Sequence, residues 1–299
     1  MKRVLFRGLI ATLALIAVVA LGYWVTREKP NQRNLSYATM SSRNVLDIYI
    51  PDGASSALPV VVWIHGGGFR QGSKAWTSDM APLLEAGFAV VAVNYRYSTE
   101  AIWPAQLDDI SAAIAFLREN ADQFGLNPGR VALFGASAGG HLAATTGIAL
   151  AADPATSVTA VVDWFGPVDF AKMDIDMAES GLKPTMGPTV DPDSPESVLI
   201  GAPVGGNPDL VWSASPINYV EQLPQTASLP AFLIMHGAKD TFIAAGQSER
   251  LADALRSHPV PTEVNLQILA EGTHGDGDFK DEAAMETVVS FLKATLLAE

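Results

Sequence analysis

The sequence has 299 residues, too few for two large domains, and 48% of them are hydrophobic against 17% charged, which excludes a disordered polyelectrolyte. The formal net charge of −13 would repel a phosphate backbone and therefore argues against nucleic-acid binding. Cysteine is absent from the chain, which excludes disulfides, thiolate nucleophiles and thiolate metal ligands.

The chain opens with a basic segment followed by an apolar one. Three basic residues precede an uncharged run over residues 8–26. This pattern is typical of an export signal, and as a helix the run is also long enough to stay in a membrane. We interpret residues 1–26 as a signal peptide or a membrane anchor, with cleavage and retention both open. The protein is accordingly expected to be periplasmic, secreted or membrane-anchored, with membrane contact through this segment in the last case.

From about residue 45 the chain alternates short β-type runs with longer helical patterns, which predicts a mostly parallel sheet with helices on both faces. Residues 45–50 alternate in polarity, as a half-exposed edge strand would. Continuous apolar runs predict strands buried on both faces, at residues 60–64, 89–93, 131–134, 158–164, 231–235 and 264–269. We expect one α/β domain over residues 42–299, joined to the N-terminal segment by a linker at residues 27–41.

Residues 170–212 interrupt this alternation, because they are rich in proline and glycine and follow neither period. We expect a lid-like insertion that covers a site, or a mobile surface excursion. Its methionines, Met173, Met177 and Met186, could supply an adaptable apolar lining. Its acidic residues outnumber its lysines, which predicts weak binding of anionic substrates. Within it, residues 191–196 cluster carboxylates without the spacing of a calcium loop, and we interpret them as a solvated acidic turn.

A serine at the centre of a predicted strand-to-helix turn is the strongest local signal. Residues 135–139 read Gly-Ala-Ser-Ala-Gly between a predicted strand and a predicted helix. Such a turn holds the Ser137 hydroxyl out of the sheet on a strained backbone, and its glycines let the strand and the helix approach closely. Ser137 is therefore the predicted nucleophile, and a small-residue turn that only packs is the alternative.

A run of three glycines, Gly66 to Gly68, directly follows the predicted strand at residues 60–64. Its bare backbone amides can approach a carbonyl oxygen that becomes an oxyanion during acyl transfer. We predict Gly67 and Gly68 as oxyanion-hole donors, together with the amide of Ala138.

A nucleophilic serine needs a base, and the chain has five histidines. His274 falls on a loop after the last predicted strand, where open α/β sheets place their sites, and is the predicted base. Three others are expected to be structural, and His258 is expected to be exposed. Asp240 follows the penultimate predicted strand and is the predicted carboxylate that orients the imidazole. Asp163 and Asp169 stay as rivals for that role.

Aromatic residues lie near the loops that should border a pocket, which suits a short acyl or an aromatic-acid substrate. Those expected to bind substrate, with packing as the alternative for each, are Phe69, Trp76, Trp103, Trp164 and Trp212. The sequence contains neither a dinucleotide fingerprint nor a phosphate loop, and no histidine pair has zinc spacing on one helix. We therefore expect no cofactor and no metal.

Taken together, the glycine loop, the serine turn, Asp240 and His274 in this order resemble the α/β-hydrolase esterases. Residues 42–297 are similar to the bacterial carboxylesterase and feruloyl-esterase-like group, which is related to the hormone-sensitive-lipase type. Residues 95–97, 103–105 and 215–217 also look like that group. Two positions depart from related patterns: Ala136 replaces the acidic residue usual in the hormone-sensitive-lipase type, and Gly68 replaces a bulky residue usual in arylformamidases.

The resemblance implies an α/β-hydrolase fold and a serine carboxylesterase. Ser137, His274 and Asp240 would act through an acyl-enzyme on short-chain or aromatic-acid esters. An amidase or arylformamidase with the same residues is the alternative. A non-catalytic binding scaffold fits less well, because such proteins typically lose the serine or the histidine. The expected partner is a small-molecule ester, and the oligomeric state stays open.

Overall fold

The computed structural model describes residues 29–54, 57–77 and 80–297. The predicted signal peptide or anchor at residues 1–26 lies outside this described part. Over the described ranges, no helix combines the length and the apolar character needed to cross a membrane.

Strands within the described residues form one sheet. Their bounds are β1 Gln32–Ser36, β2 Val45–Tyr49, β3 Leu58–Ile64, β4 Ala89–Val93, β5 Leu126–Ala136, β6 Ala160–Trp164, β7 Ala231–Gly237 and β8 Val264–Leu269. The strands of this eight-stranded sheet lie side by side in the order β1-β2-β4-β3-β5-β6-β7-β8. β2 pairs antiparallel with β1 and with β4, and the other neighbouring pairs are parallel. The mostly parallel sheet that the sequence predicts is confirmed.

Helices connect the strands and cover both faces of the sheet. Their bounds are α1 Ala81–Glu85, α2 Ala105–Glu119, α3 Ala121–Phe124, α4 Ala138–Leu150, α5 Met173–Ser180, α6 Pro195–Ile200, α7 Pro208–Ala214, α8 Pro216–Gln222, α9 Gly246–Arg256 and α10 Glu282–Leu296, with a 3₁₀ turn at Gly277–Lys280. Apolar side chains of α2, α4, α8 and α9 form the core on one face. Those of α1 and α10 form the core on the other face.

The central strands β3 to β7 are buried on both sides, as their continuous apolar runs predict. The prediction is wrong for residues 264–269, because β8 lies at the edge of the sheet and is only partly buried. Val60 and Val62 of β3 pack into one core, and Val61 and Trp63 pack into the other. Successive side chains of a strand point to opposite faces, so a strand between two helical layers needs apolar residues at every position.

The prediction for the first strands needs correction. β2 is not a half-exposed edge strand, because β1 pairs with its outer side and both of its faces are covered. Its alternation comes from Asp47, which is 5% exposed and ion-paired with Lys74 at 2.5 Å. β1 itself lies in the residues predicted as a linker, so the sheet begins before residue 42.

Residues 170–212 contain α5, α6 and most of α7, although the sequence showed no helical period there. Met173 and Met177 of α5 are buried, whereas Met186 in the following loop is 39% exposed. The role of this segment as a lid stays a prediction.

Candidate active site

The serine turn has the strained geometry that its sequence predicts. Ser137 stands between the end of β5 and the start of α4, with φ 57° and ψ −124°. A Cβ added to Gly135 would overlap the carbonyl oxygen of Gly139, so the absence of a side chain at Gly135 lets β5 and α4 approach closely. The Ser137 amide donates to the Trp164 carbonyl at 2.8 Å, which ties the turn to β6.

The structure brings the three predicted side chains together at the carboxyl end of the sheet. The Nε2 atom of His274 lies 3.0 Å from the Oγ atom of Ser137. Its Nδ1 atom lies 2.7 Å from the Oδ2 atom of Asp240. When the Nδ1–H group of His274 donates a hydrogen bond to the carboxylate, the unprotonated Nε2 atom can accept the proton of the serine hydroxyl.

Asp240 is held as a buried anion. Its Oδ1 atom accepts the backbone N–H groups of Phe242 and Ile243, at 2.8 and 3.0 Å. Burial by itself would raise the pKa of Asp240, but hydrogen bonds from His236 and His274 outweigh it and hold the pKa below its ordinary value. An ionised carboxylate at this position keeps the Nδ1 proton on His274 and favours an imidazolium when one forms.

The rival carboxylates have other partners. Asp163 accepts the Gly166 N–H at 2.9 Å and is fully buried, and burial raises its pKa to about 6. The Asp169 carboxylate accepts a hydrogen bond from the backbone N–H of Ala171, and burial raises the pKa of Asp169. Neither carboxylate is the one that meets His274.

Two further histidines brace the backbone around the site. The Nδ1 atom of His65 donates to the Gly66 carbonyl at 2.7 Å, and that of His141 donates to the Pro167 carbonyl at 2.8 Å. Burial lowers the pKa of each ring to about 4, so both are neutral at pH 7. A neutral ring that donates to a carbonyl fixes a loop without adding charge.

His236 supports Asp240 from behind. Its Nε2 atom donates to the Ile243 carbonyl at 2.9 Å and lies 3.5 Å from the Asp240 carboxylate, and its Nδ1 atom meets the Ser248 hydroxyl at 2.7 Å. The expectation that His258 is exposed is wrong, because this residue is 7% exposed in the turn that follows α9.

The residues predicted as oxyanion-hole donors lie near the serine. Gly67, Gly68 and Ala138 line the same pocket as Ser137. Gly67 has φ +111° and Gly68 has φ +58°, values that L side chains rarely adopt. The Ala138 amide is the first of α4 and has no acceptor within its own helix. These N–H groups could therefore donate to a ligand oxygen beside the hydroxyl.

A cavity of about 610 Å³ opens over Ser137 and His274. Two aromatic residues that the sequence analysis missed enclose the imidazole: Phe242 stacks on it with ring centroids 5.0 Å apart, and Phe165 lies at 4.6 Å. Phe165 directly follows β6, so its place at the carboxyl end of a strand was a usable signal.

A smaller apolar chamber of about 330 Å³ adjoins this cavity and shares part of its lining, including Met186 and Phe242. Met173 and Met177 of α5 complete its methionine wall. The three methionines singled out in the sequence therefore lie together beside the candidate site.

The aromatic residues expected to bind substrate are mostly elsewhere, and the prediction is corrected for four of the five. Phe69 does line the cavity, although it is only 1% exposed. Trp76 and Trp212 do not line it and are 47% and 44% exposed to solvent.

Trp103 and Trp164 are packing residues outside the cavity lining. The indole N–H of Trp103 donates to the Ser213 carbonyl at 2.8 Å. Trp164 points to the face of the sheet opposite α4 and packs on Phe134 and Phe279 at 5.0 and 5.1 Å. Closeness to a loop in sequence does not decide on which side of the strand a ring lies.

The acidic turn at residues 191–196 borders the cavity. Asp191 and Asp193 are exposed, as expected, whereas Glu196 is buried. Within the described ranges, no group of three or more His, Asp or Glu side chains could hold a metal ion.

The sheet order and the Ser137–His274–Asp240 contacts at its carboxyl edge define the class of protein, an α/β-hydrolase. A family model described as BD-FAE matches residues 46–255, and the chain belongs to this family.

Curated relatives from Mycobacterium tuberculosis carry esterase names. The chain is 28% identical to the probable carboxylic ester hydrolase LipM, over 78% of this chain and 53% of the relative. It is 30% identical to esterase LipQ, over 75% of this chain and 52% of the relative. The chain thus spans about half the length of these relatives.

Among solved structures, the chain is similar to a truncated form of a carbohydrate esterase from gut microbiota. The TM-score is 0.76 with 32% identity, over 89% of this chain and 96% of the other. Esterase B from Lactobacillus rhamnosis superposes with a TM-score of 0.73 over 97% of this chain and 93% of the other, and at 21% identity it supports the fold alone.

Proposed function

We propose that the protein is a serine carboxylic-ester hydrolase that uses Ser137, His274 and Asp240 as a catalytic triad. The observation that carries the proposal is the continuous hydrogen-bonded path from Ser137 Oγ through the imidazole to Asp240, at 3.0 and 2.7 Å. This path ends in a cavity that also contains bare backbone amides. The esterase names of the relatives agree with it.

The reaction begins when the Ser137 oxygen attacks the ester carbonyl carbon and its proton moves to Nε2 of His274. The carbonyl oxygen becomes an oxyanion, which accepts hydrogen bonds from the amides of Gly67, Gly68 and Ala138. The carbon–oxygen bond to the alcohol then breaks, and His274 returns the proton to the departing alcohol oxygen. Asp240 stabilises the imidazolium between these two proton transfers.

The second half of the reaction releases the acid. A water molecule loses a proton to His274 and adds to the acyl-enzyme carbonyl, and the same amides hold the second oxyanion. Collapse of this intermediate breaks the bond to Ser137 Oγ, which recovers its proton from His274. The free acid leaves, and the enzyme regains its starting state.

For the substrate, we propose a short-chain or aromatic-acid ester. The methionine-lined chamber and the rings of Phe165 and Phe242 suit an apolar acyl group of limited size. The likeness to a carbohydrate esterase from gut microbiota favours a sugar as the alcohol part of the ester. We also retain export through residues 1–26 as a proposal.

The test compares Ser137→Ala and Asp240→Asn with the unmodified protein on chromogenic short-chain esters. Ser137→Ala should lower kcat by at least about 10⁴-fold, and Asp240→Asn by about 10³- to 10⁴-fold, because the first removes the nucleophile and the second favours the wrong imidazole tautomer. Ser257→Ala, at an exposed serine, is the matched control and should leave kcat unchanged. Normal turnover in Ser137→Ala would refute the proposal, and faster hydrolysis of a matched anilide would replace it with an amidase.

A further inference from the structure

A glutamate that the proposed mechanism does not use lies inside the candidate active-site cavity. Glu196 belongs to the first turn of α6 and is only 7% exposed, yet it lines the same cavity as Ser137 and His274. Its backbone is held firmly, because the side chain of Ser194 accepts the Ser197 N–H at 3.0 Å and donates to the Thr189 carbonyl at 2.7 Å.

The carboxyl group of Glu196 has no side-chain partner among the described residues. It makes no ion pair there, and the hydrogen bond available to it comes from its own backbone N–H. The guanidinium of Arg70 lies near enough to favour the anion, but it is engaged with the Asp193 carbonyl at 2.9 Å. Burial removes most of the water around this carboxyl group, and the residue lines the cavity, so a ligand bound there could supply the side-chain partner that the protein does not.

The charged groups around Glu196 restrict the chemistry of that ligand. Burial raises the pKa of Glu196 to about 7; Arg70 acts against this shift, and Asp174 adds to it. The exposed Asp191 and Asp193 lie on the same wall of the cavity. An anionic group would be repelled by these carboxylates. A cationic group would be held only while Glu196 is ionised, so it does not suit a carboxyl group that is partly neutral at pH 7.

A neutral hydroxyl group fits both ionisation states of Glu196. The ionised carboxylate accepts a hydrogen bond from a hydroxyl, and the neutral carboxyl group donates one to it. The ionised form makes the stronger bond, because a charged acceptor strengthens a hydrogen bond. A carboxyl group that is partly ionised at neutral pH can therefore hydrogen-bond a hydroxyl both below and above its pKa, and the hydrogen bond becomes stronger as the group ionises.

We propose that Glu196 is a specificity-determining residue that hydrogen-bonds a hydroxyl group of the ester substrate and so favours hydroxylated esters over their deoxy analogues. This inference rests on the proposed esterase function, since it concerns the same cavity.

The kinetic test uses a pair of esters, glycerol monobutyrate and propyl butyrate, which differ in their hydroxyl groups. Glu196→Leu should lower kcat/KM for the glycerol ester by about tenfold, mainly through KM, and change that for the propyl ester by less than about twofold. Glu196→Gln, which retains an acceptor oxygen, should lie between. Glu179→Leu and Glu179→Gln make the same changes at an exposed glutamate of α5 outside the cavity lining and should not alter the ratio. An equal loss on both esters in Glu196→Leu would overturn the proposal.

Binding to the Ser137→Ala variant separates this inference from the esterase proposal. By isothermal titration calorimetry, the Kd of the glycerol ester should fall as pH rises through about 7, because Glu196 ionises there and becomes the better acceptor. Ser137→Ala/Glu196→Gln should show a flat profile. If neither ester is hydrolysed by the unmodified protein, the esterase proposal fails while this comparison still decides the role of Glu196. Identical pH profiles of Kd in Ser137→Ala and Ser137→Ala/Glu196→Gln would overturn that role. It would also be overturned if adding Glu196→Gln to Ser137→Ala weakened the binding of a choline ester more than that of the glycerol ester.

Discussion

Ser137 occupies a backbone conformation that its surroundings must enforce. Its φ of 57° and ψ of −124° lie outside the regions that L residues favour, at a cost of about 1–3 kcal/mol. The strained conformation is stabilised by tight packing around Ser137, which is possible because glycines let three backbone segments approach one another. A Cβ at Gly66 would lie 2.8 Å from the Ala136 carbonyl oxygen, and one at Gly139 would overlap the carbonyl oxygen of Ile64. The end of β3 and the start of α4 thus clamp the serine from both sides.

Gly139→Ala should therefore damage the site without touching a reacting atom. The added methyl group must push α4 away from β3, which we expect to lower stability by about 2 kcal/mol or more and to displace Ser137 from His274. Activity on a chromogenic ester should fall by at least about tenfold, because small misplacements of a nucleophile are costly. Gly129→Ala, at a position where a Cβ meets only an ordinary contact of 3.5 Å, is the control. Equal thermal stability and activity in the two variants would contradict the clamp.

For single residues, the sequence predicts a position in the site when one structural rule is enough to place that residue. Ser137, Asp240 and His274 each follow a strand, so the rule that parallel strands direct their carboxyl ends to one edge is enough to bring them together. Glu196 is different, because its burial depends on how residues 185–196 fold across the cavity. No local period encodes that path, and a carboxylate-rich turn is usually solvated.

At the scale of the elements, α5 is fastened to α9 through one buried carboxylate. Asp176 is 5% exposed and receives hydrogen bonds from Arg250, with the shortest contact at 2.6 Å, and from the side chain of Gln247 at 2.7 Å. Gln247 also accepts the backbone N–H groups of Val168 and Asp169, both at 2.8 Å. This network fixes the beginning of the segment that carries the methionine wall.

Arg250→Met should destabilise the protein by about 2 kcal/mol, because it leaves the buried Asp176 without its charged partner. In Asp176→Asn/Arg250→Met the loss should be smaller than the sum of the two single losses, as expected for directly coupled residues. Urea unfolding measures both quantities. The control is Arg256→Met on the same helix, whose contact with Asp253 at 3.8 Å is exposed on both sides and should contribute less than about 0.5 kcal/mol. Additive losses at positions 176 and 250 would show that the network does not act as a unit.

The elements that the sequence analysis missed share a physical cause. β1 is mostly exposed and joins the sheet through backbone hydrogen bonds, so its side chains carry no hydrophobic period. α5, α6 and α7 have 8, 6 and 7 residues, too few for helical spacing to stand out among prolines and glycines. The buried parallel strands were predictable because burial on both faces imposes apolar residues at every position.

At the scale of the whole molecule, charge is distributed against anionic ligands. The chain carries a net charge of −13, and the exposed Asp191 and Asp193 stand on the cavity wall. The Arg70 guanidinium on that wall is engaged with the Asp193 carbonyl. A negatively charged ester therefore approaches a negative potential on its way to Ser137, and this potential extends about one Debye length into solution.

The preference for an uncharged ester over an anionic one should decrease as the salt concentration rises. The test compares an ester that has a carboxylate at the end of its acyl chain with its uncharged isostere. At low ionic strength, kcat/KM for the anionic ester should be at least about fivefold lower. The two values should converge near 1 M salt, because the Debye length there is about 3 Å. Asp191→Asn/Asp193→Asn should narrow the gap at low salt, whereas Glu263→Gln/Glu286→Gln removes two exposed charges outside the cavity lining and should not. A gap that persists unchanged at high salt would mean that shape, rather than charge, excludes the anionic ester. A preference for the anionic ester would contradict the electrostatic argument itself.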